Sequence, residues 1–220
     1  MQSKKHRFLI AALAISTLCG PIAASAGVVT FTNRASWDSA VGTVSFTVDF
    51  ESFITDTSFA TVPLNVGPFT LSTVGTAATG RNIVDVAPFI LPPVPASFGN
   101  AAVDIFVQDP LAADITFATP VVGFFADFLN AGNGQQLSLT LSLEGGGTAD
   151  LLVPGTGSGE ESFGFVSTDA VTAIRLHNSV NDGFYIDNIS GTIPEPGTVG
   201  LLGMALAFLG FSLASRQRQN

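Results

Sequence analysis

The chain has 220 residues, of which only 11% are charged and 46% are hydrophobic, and its formal net charge is −9. Between residues 27 and 193 the acid excess is larger, because three arginines, no lysine and 16 carboxylates leave a balance of −13. A surface of that sign repels nucleic acid and anionic lipid, which argues against either as a partner. The single cysteine excludes a disulfide framework.

The opening residues read as an export leader. Lys4, Lys5 and Arg7 form a basic region, Phe8–Leu18 is an apolar run too short to span a bilayer comfortably, and Ala24-Ser25-Ala26 gives a small-x-small cleavage pattern. Signal peptidase is therefore expected to cut after Ala26 and leave Gly27 as the first mature residue. Cys19 lies inside this segment. The residue before it, Leu18, is not small, and Ser16 stands where lipoprotein processing wants a leucine, so Cys19 reads as an ordinary apolar residue of a discarded peptide.

From Gly27 onward the chain reads as β-structure. Val28–Thr32 is the first expected strand, and Arg34–Val41 the one short helix, with Gly42 placed to terminate it. In the next strand Val44, Phe46, Val48 and Phe50 alternate with Ser45, Thr47, Asp49 and Glu51. Such period-two alternation sends apolar and polar side chains to opposite sheet faces. Strands follow at Phe69–Val74, Ala102–Val107, Asp114–Phe117 and Val121–Phe128. The Pro88–Pro95 run reads as an extended loop. Leu137, Leu139, Leu141 and Leu143 alternate with polar residues, and Ala149–Val153, Ser162–Val166, Ala173–His177 and Phe184–Ser190 complete the set. Glycine-rich breaks at 132–134, 145–147, 154–159 and 181–183 separate short strands, a pattern that favours an antiparallel β-sandwich over a βαβ sheet. One domain, 27–193, is expected, with no fixed-period repeat.

The chain then changes character at Pro194-Glu195-Pro196. Gly197–Ser215 is 19 residues without a charge, and Arg216 and Arg218 follow. As a helix that segment rises about 28 Å, close to the thickness of a bilayer's hydrocarbon core. Basic residues on the cytoplasmic flank of both hydrophobic segments place 27–193 across the inner membrane. A plain C-terminal anchor accounts for the helix and arginines but leaves the Pro-Glu-Pro wording unexplained. The whole tail, 194–220, resembles the PEP-CTERM sorting signal. That resemblance implies recognition by an exosortase-type membrane protease, transient anchoring with the domain in the periplasm, and release to the cell surface or the extracellular polysaccharide.

A second resemblance concerns the body. Ile115-Thr116-Phe117, Gly123-Phe124-Phe125-Ala126-Asp127-Phe128 and Asn181-Asp182-Gly183-Phe184-Tyr185-Ile186-Asp187-Asn188-Ile189 are similar to the jelly-roll, lectin-like sandwich domains common in PEP-CTERM proteins. In such domains the first and last strands join, and an early Glu and a late Asp bind structural calcium there. The resemblance thus points to Asp49, Glu51 and Asp187, whose oxygens suit a hard cation. A charged sheet edge that discourages aggregation is the competing reading.

Searches for catalytic chemistry return little. There is no G-x-S-x-G, no P-loop and no His pair at metal spacing. His177, the one histidine of the mature region, reads as a solvent-facing strand residue, and nothing in the spacing selects a triad with Asp169 or Asp182 and a serine. Glu160-Glu161 are strand neighbours that point to opposite faces, which suits surface charge better than a glycosidase pair. Sugar binding normally uses exposed Trp and Tyr. Here Trp37 is expected to staple the helix to the sheet, Tyr185 could edge a shallow site, and the 16 phenylalanines read as core. The Asn188-Ile189-Ser190 sequon lies on an expected strand. The sequence therefore supports an exported, non-enzymatic surface or matrix protein, with a secreted carbohydrate-binding module as the alternative and a secreted hydrolase behind it.

Overall fold

The computed structural model describes residues 27–76, 80–87, 96–131, 137–155, 159–178 and 182–195. The leader, the 197–215 segment, Pro196, Arg216, Arg218 and the 88–95 run lie outside the described residues. Among the described residues no helix is long and apolar enough to cross a membrane.

Twelve strands form one antiparallel sheet. Its middle is made by β8 (Ala112–Leu129) and β11 (Glu160–His177), each 18 residues long. On one side lie β9 (Ser138–Leu143) and β10 (Thr148–Leu152); on the other lie β12 (Asp182–Thr192), β7 (Ala101–Val107), β6 (Ile83–Val86) and β3 (Thr57–Ser58). Three further strands attach to these. β1 (Val28–Phe31) pairs with β11, β2 (Phe46–Val48) with β12, and β5 (Phe69–Val74) with β8, while β4 (Leu64–Asn65) pairs with β5.

The two long strands were each expected as two shorter ones. Their continuity explains the architecture. In β8 the core-facing side chains are Ala113, Ile115, Phe117 and Val121 at odd positions, then Phe124, Ala126 and Phe128 at even ones. In β11 the same reversal runs from Phe163, Phe165 and Val171 to Ile174 and Leu176. The registers of the pair slip between Val166 and Val171 and again between Val171 and Ala173. Extra residues at a bulge bend the strand and change which face its side chains serve. One half of the sheet can thereby turn its apolar face toward the other, and both halves contribute to a single core.

The core is aromatic. Phe69 and Phe117 lie 6.4 Å apart edge to face, Phe117 and Phe124 likewise, and Phe124 stacks on Phe165 at 5.7 Å. Burying a phenylalanine contributes about 1.5–3 kcal/mol, so this chain of rings supplies cohesion in a domain without cysteine.

The helix α1 spans Arg34–Val41, as its sequence suggests, and packs on β8 and β11. Asn33 caps it by accepting from the Ser36 N–H at 3.1 Å, and Gly42 closes it at φ 72°. Trp37 is fully buried, donates from Nε1 to the Phe165 carbonyl at 3.0 Å and lies 5.5 Å from Phe125. Gly123 makes that approach feasible, because a Cβ there would come within 2.9 Å of Val41 Cγ1. Arg34 covers the Trp37 ring at 5.1 Å and bonds Asp38 and Ser190. The helix is thus stapled through its tryptophan.

Candidate functional site

Three polar constellations stand outside the core. The first lies where the end of β2 meets β7, β8 and β12. Asp127 on β8 sits opposite Ser162 on β11 and Asp187 on β12, so three polar residues form one rank across neighbouring strands. Asp187 is 1% exposed. Burial, above all, pushes its carboxyl up to about 8, with Glu51, Asp127 and Asp49 adding like-charge repulsion and the Asn188 N–H opposing it. A bulge between Asp187 and Ser190 places Asn188 at φ 51°. From there its backbone N–H reaches Asp187 Oδ1 at 2.7 Å, and its side-chain amide donates to Asp127 Oδ2 and the Ser97 carbonyl, each at 3.0 Å. The sequon asparagine is therefore engaged twice through its amide nitrogen.

Glu51 reaches the same neighbourhood from the loop after β2. It accepts from the Asn100 N–H at 2.7 Å, the Ala101 N–H at 3.2 Å and the Asn100 amide at 3.3 Å, and the Asn100 backbone bond leads in holding its carboxyl below the usual range. Gly99 sits at φ 57°, and an added Cβ there would collide with the Glu51 carboxylate. Asp49 accepts from the Glu51 N–H at 3.3 Å. The structure thus couples Asp49, Glu51 and Asp187 electrostatically, and Glu51 already serves as a clasp on the loop before β7. Among the described residues no group of three or more His, Cys, Asp or Glu side chains is placed to hold a metal ion.

The second constellation surrounds Tyr185. This half-buried ring packs against Phe98, Ala102 and Leu129, and its hydroxyl donates to Asp85 at 3.1 Å. Burial first, then Asp104 and Asp85, hold the phenol well above its usual range. Its cross-strand neighbour Asp104 pairs with Arg81 at 2.7 Å. Burial raises the Asp104 carboxyl to about 6 despite that cation.

The third covers the solvent face of the other half of the sheet. Asp150, Thr140, Arg175, Asp114 and Ser72 occupy one rank across β10, β9, β11, β8 and β5. Arg175 grips Asp114 with two bonds of 2.8 and 2.9 Å. Thr140 gives its one hydroxyl proton to Asp150 at 2.6 Å, so His177 Nε2, 2.9 Å from the same oxygen, must be the donor. His177 lies on the face opposite the buried Ile174 and Leu176, partly exposed and tied into this network. Concavities of about 180 and 510 Å³ flank Arg175.

Sequence reasoning missed Asp127, Asn188, Arg81–Asp104 and the Arg175–Asp114 fork. Only cross-strand register brings them together. Glu160 is exposed at the far end of β11, as surface charge should be. Pro194 and Glu195 are exposed directly after β12.

Asp104 and Asp187 carry carboxyls raised above their unfolded values, so each stabilises the fold fully below about pH 4 and loses that contribution as the pH rises through its folded value. Urea unfolding of the mature domain should show stability falling between pH 4 and 8. Asp104→Asn should make the fall shallower between about pH 4 and 6, removing on the order of 2–3 kcal/mol and leaving the share due to Asp187. A wild-type profile that rises across this window would contradict the assignment.

No curated protein matches the chain. Two solved structures show distant likeness. One is a family 11 carbohydrate-binding module from Clostridium thermocellum in complex with a β-1,3-1,4-mixed-linked tetrasaccharide, at 9% identity and TM-score 0.33, covering 66% of this chain and 92% of that one. The other comprises the CBM22-1 and GH10 modules of an N-terminal endo-1,4-β-D-xylanase 10B from the same organism, complexed with xylohexaose, at 14% identity and TM-score 0.34. It is matched over 70% of this chain and 29% of its own length. At these TM-scores neither carries an argument about this chain. Residues 192–218 match the family model of the PEP-CTERM protein-sorting motif, which supports an exported, sorted surface protein.

Proposed function

We propose that this chain is an exported, non-enzymatic surface or extracellular-matrix protein, an antiparallel jelly-roll-like sandwich held transiently by its tail in the inner membrane. An exosortase-type protease then releases it. The observation that carries the reading is the junction itself. The sorting motif begins at Thr192, the last residue of β12, so sorting signal and domain abut without overlap beyond one residue. Processing can therefore remove the tail and leave every strand intact. Glu195→Ala should block release but not export, leaving precursor in the membrane fraction. Intact-mass analysis of the released wild type should give a chain beginning near Gly27 and lacking Val199–Leu213. Normal release of the variant, or a surface protein ending at Asn220, would defeat the reading.

A carbohydrate-binding role is the second reading. The rank of bonded polar side chains around Arg175, flanked by concavities, favours it, because fixed donors and acceptors on a sheet face suit neutral sugar hydroxyls. Tyr185 is the other candidate contact. On a glycan array Arg175→Ala should lower the signal at least tenfold if the first face binds, and Tyr185→Ala if the second does. No signal from wild type removes this reading.

Calcium at Asp49, Glu51 and Asp187 is a further proposal. It is supported by the buried Asp187 carboxyl among like charges, which a hard cation would neutralise. Chelation should lower the melting temperature by roughly 5–11 °C if the ion was in hundredfold excess over Kd. Asp187→Asn should abolish the response, with magnesium at equal ionic strength as control. Equal effects of both cations would remove the calcium reading of these residues.

A further inference from the structure

The two ends of the folded domain leave it side by side. Val29 on β1 pairs with Val166 on β11, Val166 with Gly123 on β8, and Gly123 with Thr192 on β12. This rank spans three strand spacings, about 14 Å. β1 begins at this end and β12 finishes at it, so the leader and the sorting tail both depart here. Gly27 is fastened by mutual bonds with Thr168, at 2.9 and 3.0 Å. At the other exit the Ile193 N–H donates to Ser45 at 2.9 Å and the Thr192 hydroxyl to the Thr43 carbonyl at 3.1 Å.

The surface around the tail's exit differs from the rest of this acidic domain. Two concavities of about 470 and 400 Å³ flank it. One is lined by residues such as Phe46, Pro68, Ala118, Thr119 and Ile193, the other by residues such as Val41, Thr43, Val122 and Pro194. Glu195, part of the motif itself, is the one ionisable side chain lining either. A domain of formal charge −13 is repelled by an anionic headgroup layer. It approaches most readily through a face with little charge to repel or desolvate.

We infer that this end, whose two concavities carry no ionisable lining residue but Glu195, is a bilayer-facing surface, apposed to the lipid headgroups while the precursor is tethered. The inference rests on the proposed span at 197–215. Four residues separate β12 from that span, five steps from Thr192 to Gly197, and extended chain covers at most about 3.6 Å per step, so the exit rank stands within about 18 Å of the span's first residue. So short a tether leaves the domain little freedom to present another face. It also determines the approach of a membrane protease, which would reach Pro194-Glu195-Pro196 in the gap between this face and the lipid.

The test uses the full precursor with Cys19→Ser, reconstituted in phosphatidylethanolamine–phosphatidylglycerol vesicles. Single cysteines replace exposed Thr43 or Thr119 at the exit, or exposed Glu160, six residues up β11 from Val166 and so about 20 Å away. Each carries a fluorophore, and quenching by headgroup spin-labelled lipid is read. Quenching at least twofold stronger at Thr43 and Thr119 than at Glu160 is expected. Failure of the protein to float with vesicles would overturn the span and this inference together. Flotation with equal quenching at all three sites overturns the inference alone. So does shielding of Thr119 from both lipid and aqueous quenchers, which would mean that a second copy covers the face.

Discussion

The reversal of facing within β8 and β11 is the constraint on which the remaining architecture depends. A strand that kept one parity for 18 residues would have to bury one face throughout, and the two halves of the sheet would then share no core. Because Phe117 and Phe124 both turn inward from opposite parities, the ring chain from Phe69 to Phe165 crosses the bend without interruption. The helix α1 occupies the outer side of that same crossing, where Phe125 is buried beneath Trp37. A bulge, a core and a helix dock are therefore parts of one solution.

The second organising pressure is acidity. A domain with so few cations cannot pair its carboxylates, and it places them in three ways. Asp114 and Asp104 receive arginines, Glu51 and Asp127 receive backbone or neutral donors, and Asp187 sits buried with a raised proton affinity. Each arrangement charges a different cost. The arginine pairs offset desolvation directly, while the buried Asp187 favours its protonated form at neutral pH. The face bearing Asp187 and Tyr185 is in this sense less settled electrostatically than the face bearing Arg175.

Much of the strand grammar was legible. The alternating Leu137–Leu143 run and the Phe69–Val74 strand are where periodicity places them, and Asn33, Trp37 and Gly42 bound and anchor the helix as their chemistry suggests. The short strands β3, β4 and β6 escaped notice, since two to four residues give no period to detect. Bulges in β8 and β11 looked like strand ends, because a parity break in sequence resembles a turn. At the candidate sites, Asp49, Glu51 and Asp187 could be associated through a resemblance, whereas Asp127 and Asn188 needed the register slip that brings Asn188 over Asp127. Thr140, His177 and Asp150 come from three strands whose alignment no local pattern encodes.

The position of the last strand has a temporal meaning. β12 is bonded to β7, β8 and β2, and it joins the β7 side of the sheet to β8. An exported chain emerges from its N-terminus, so β1 and β2 must wait for partners that lie more than a hundred residues behind them. Such long-range pairing is slow, and the waiting chain exposes unpaired strand edges. The final stretch to clear the membrane is the one that closes the sheet. If the tail tethers the chain as proposed, a delay at that instant would give the domain time to assemble beside the membrane, so that what is set free would be a folded body and not a sticky, half-made one.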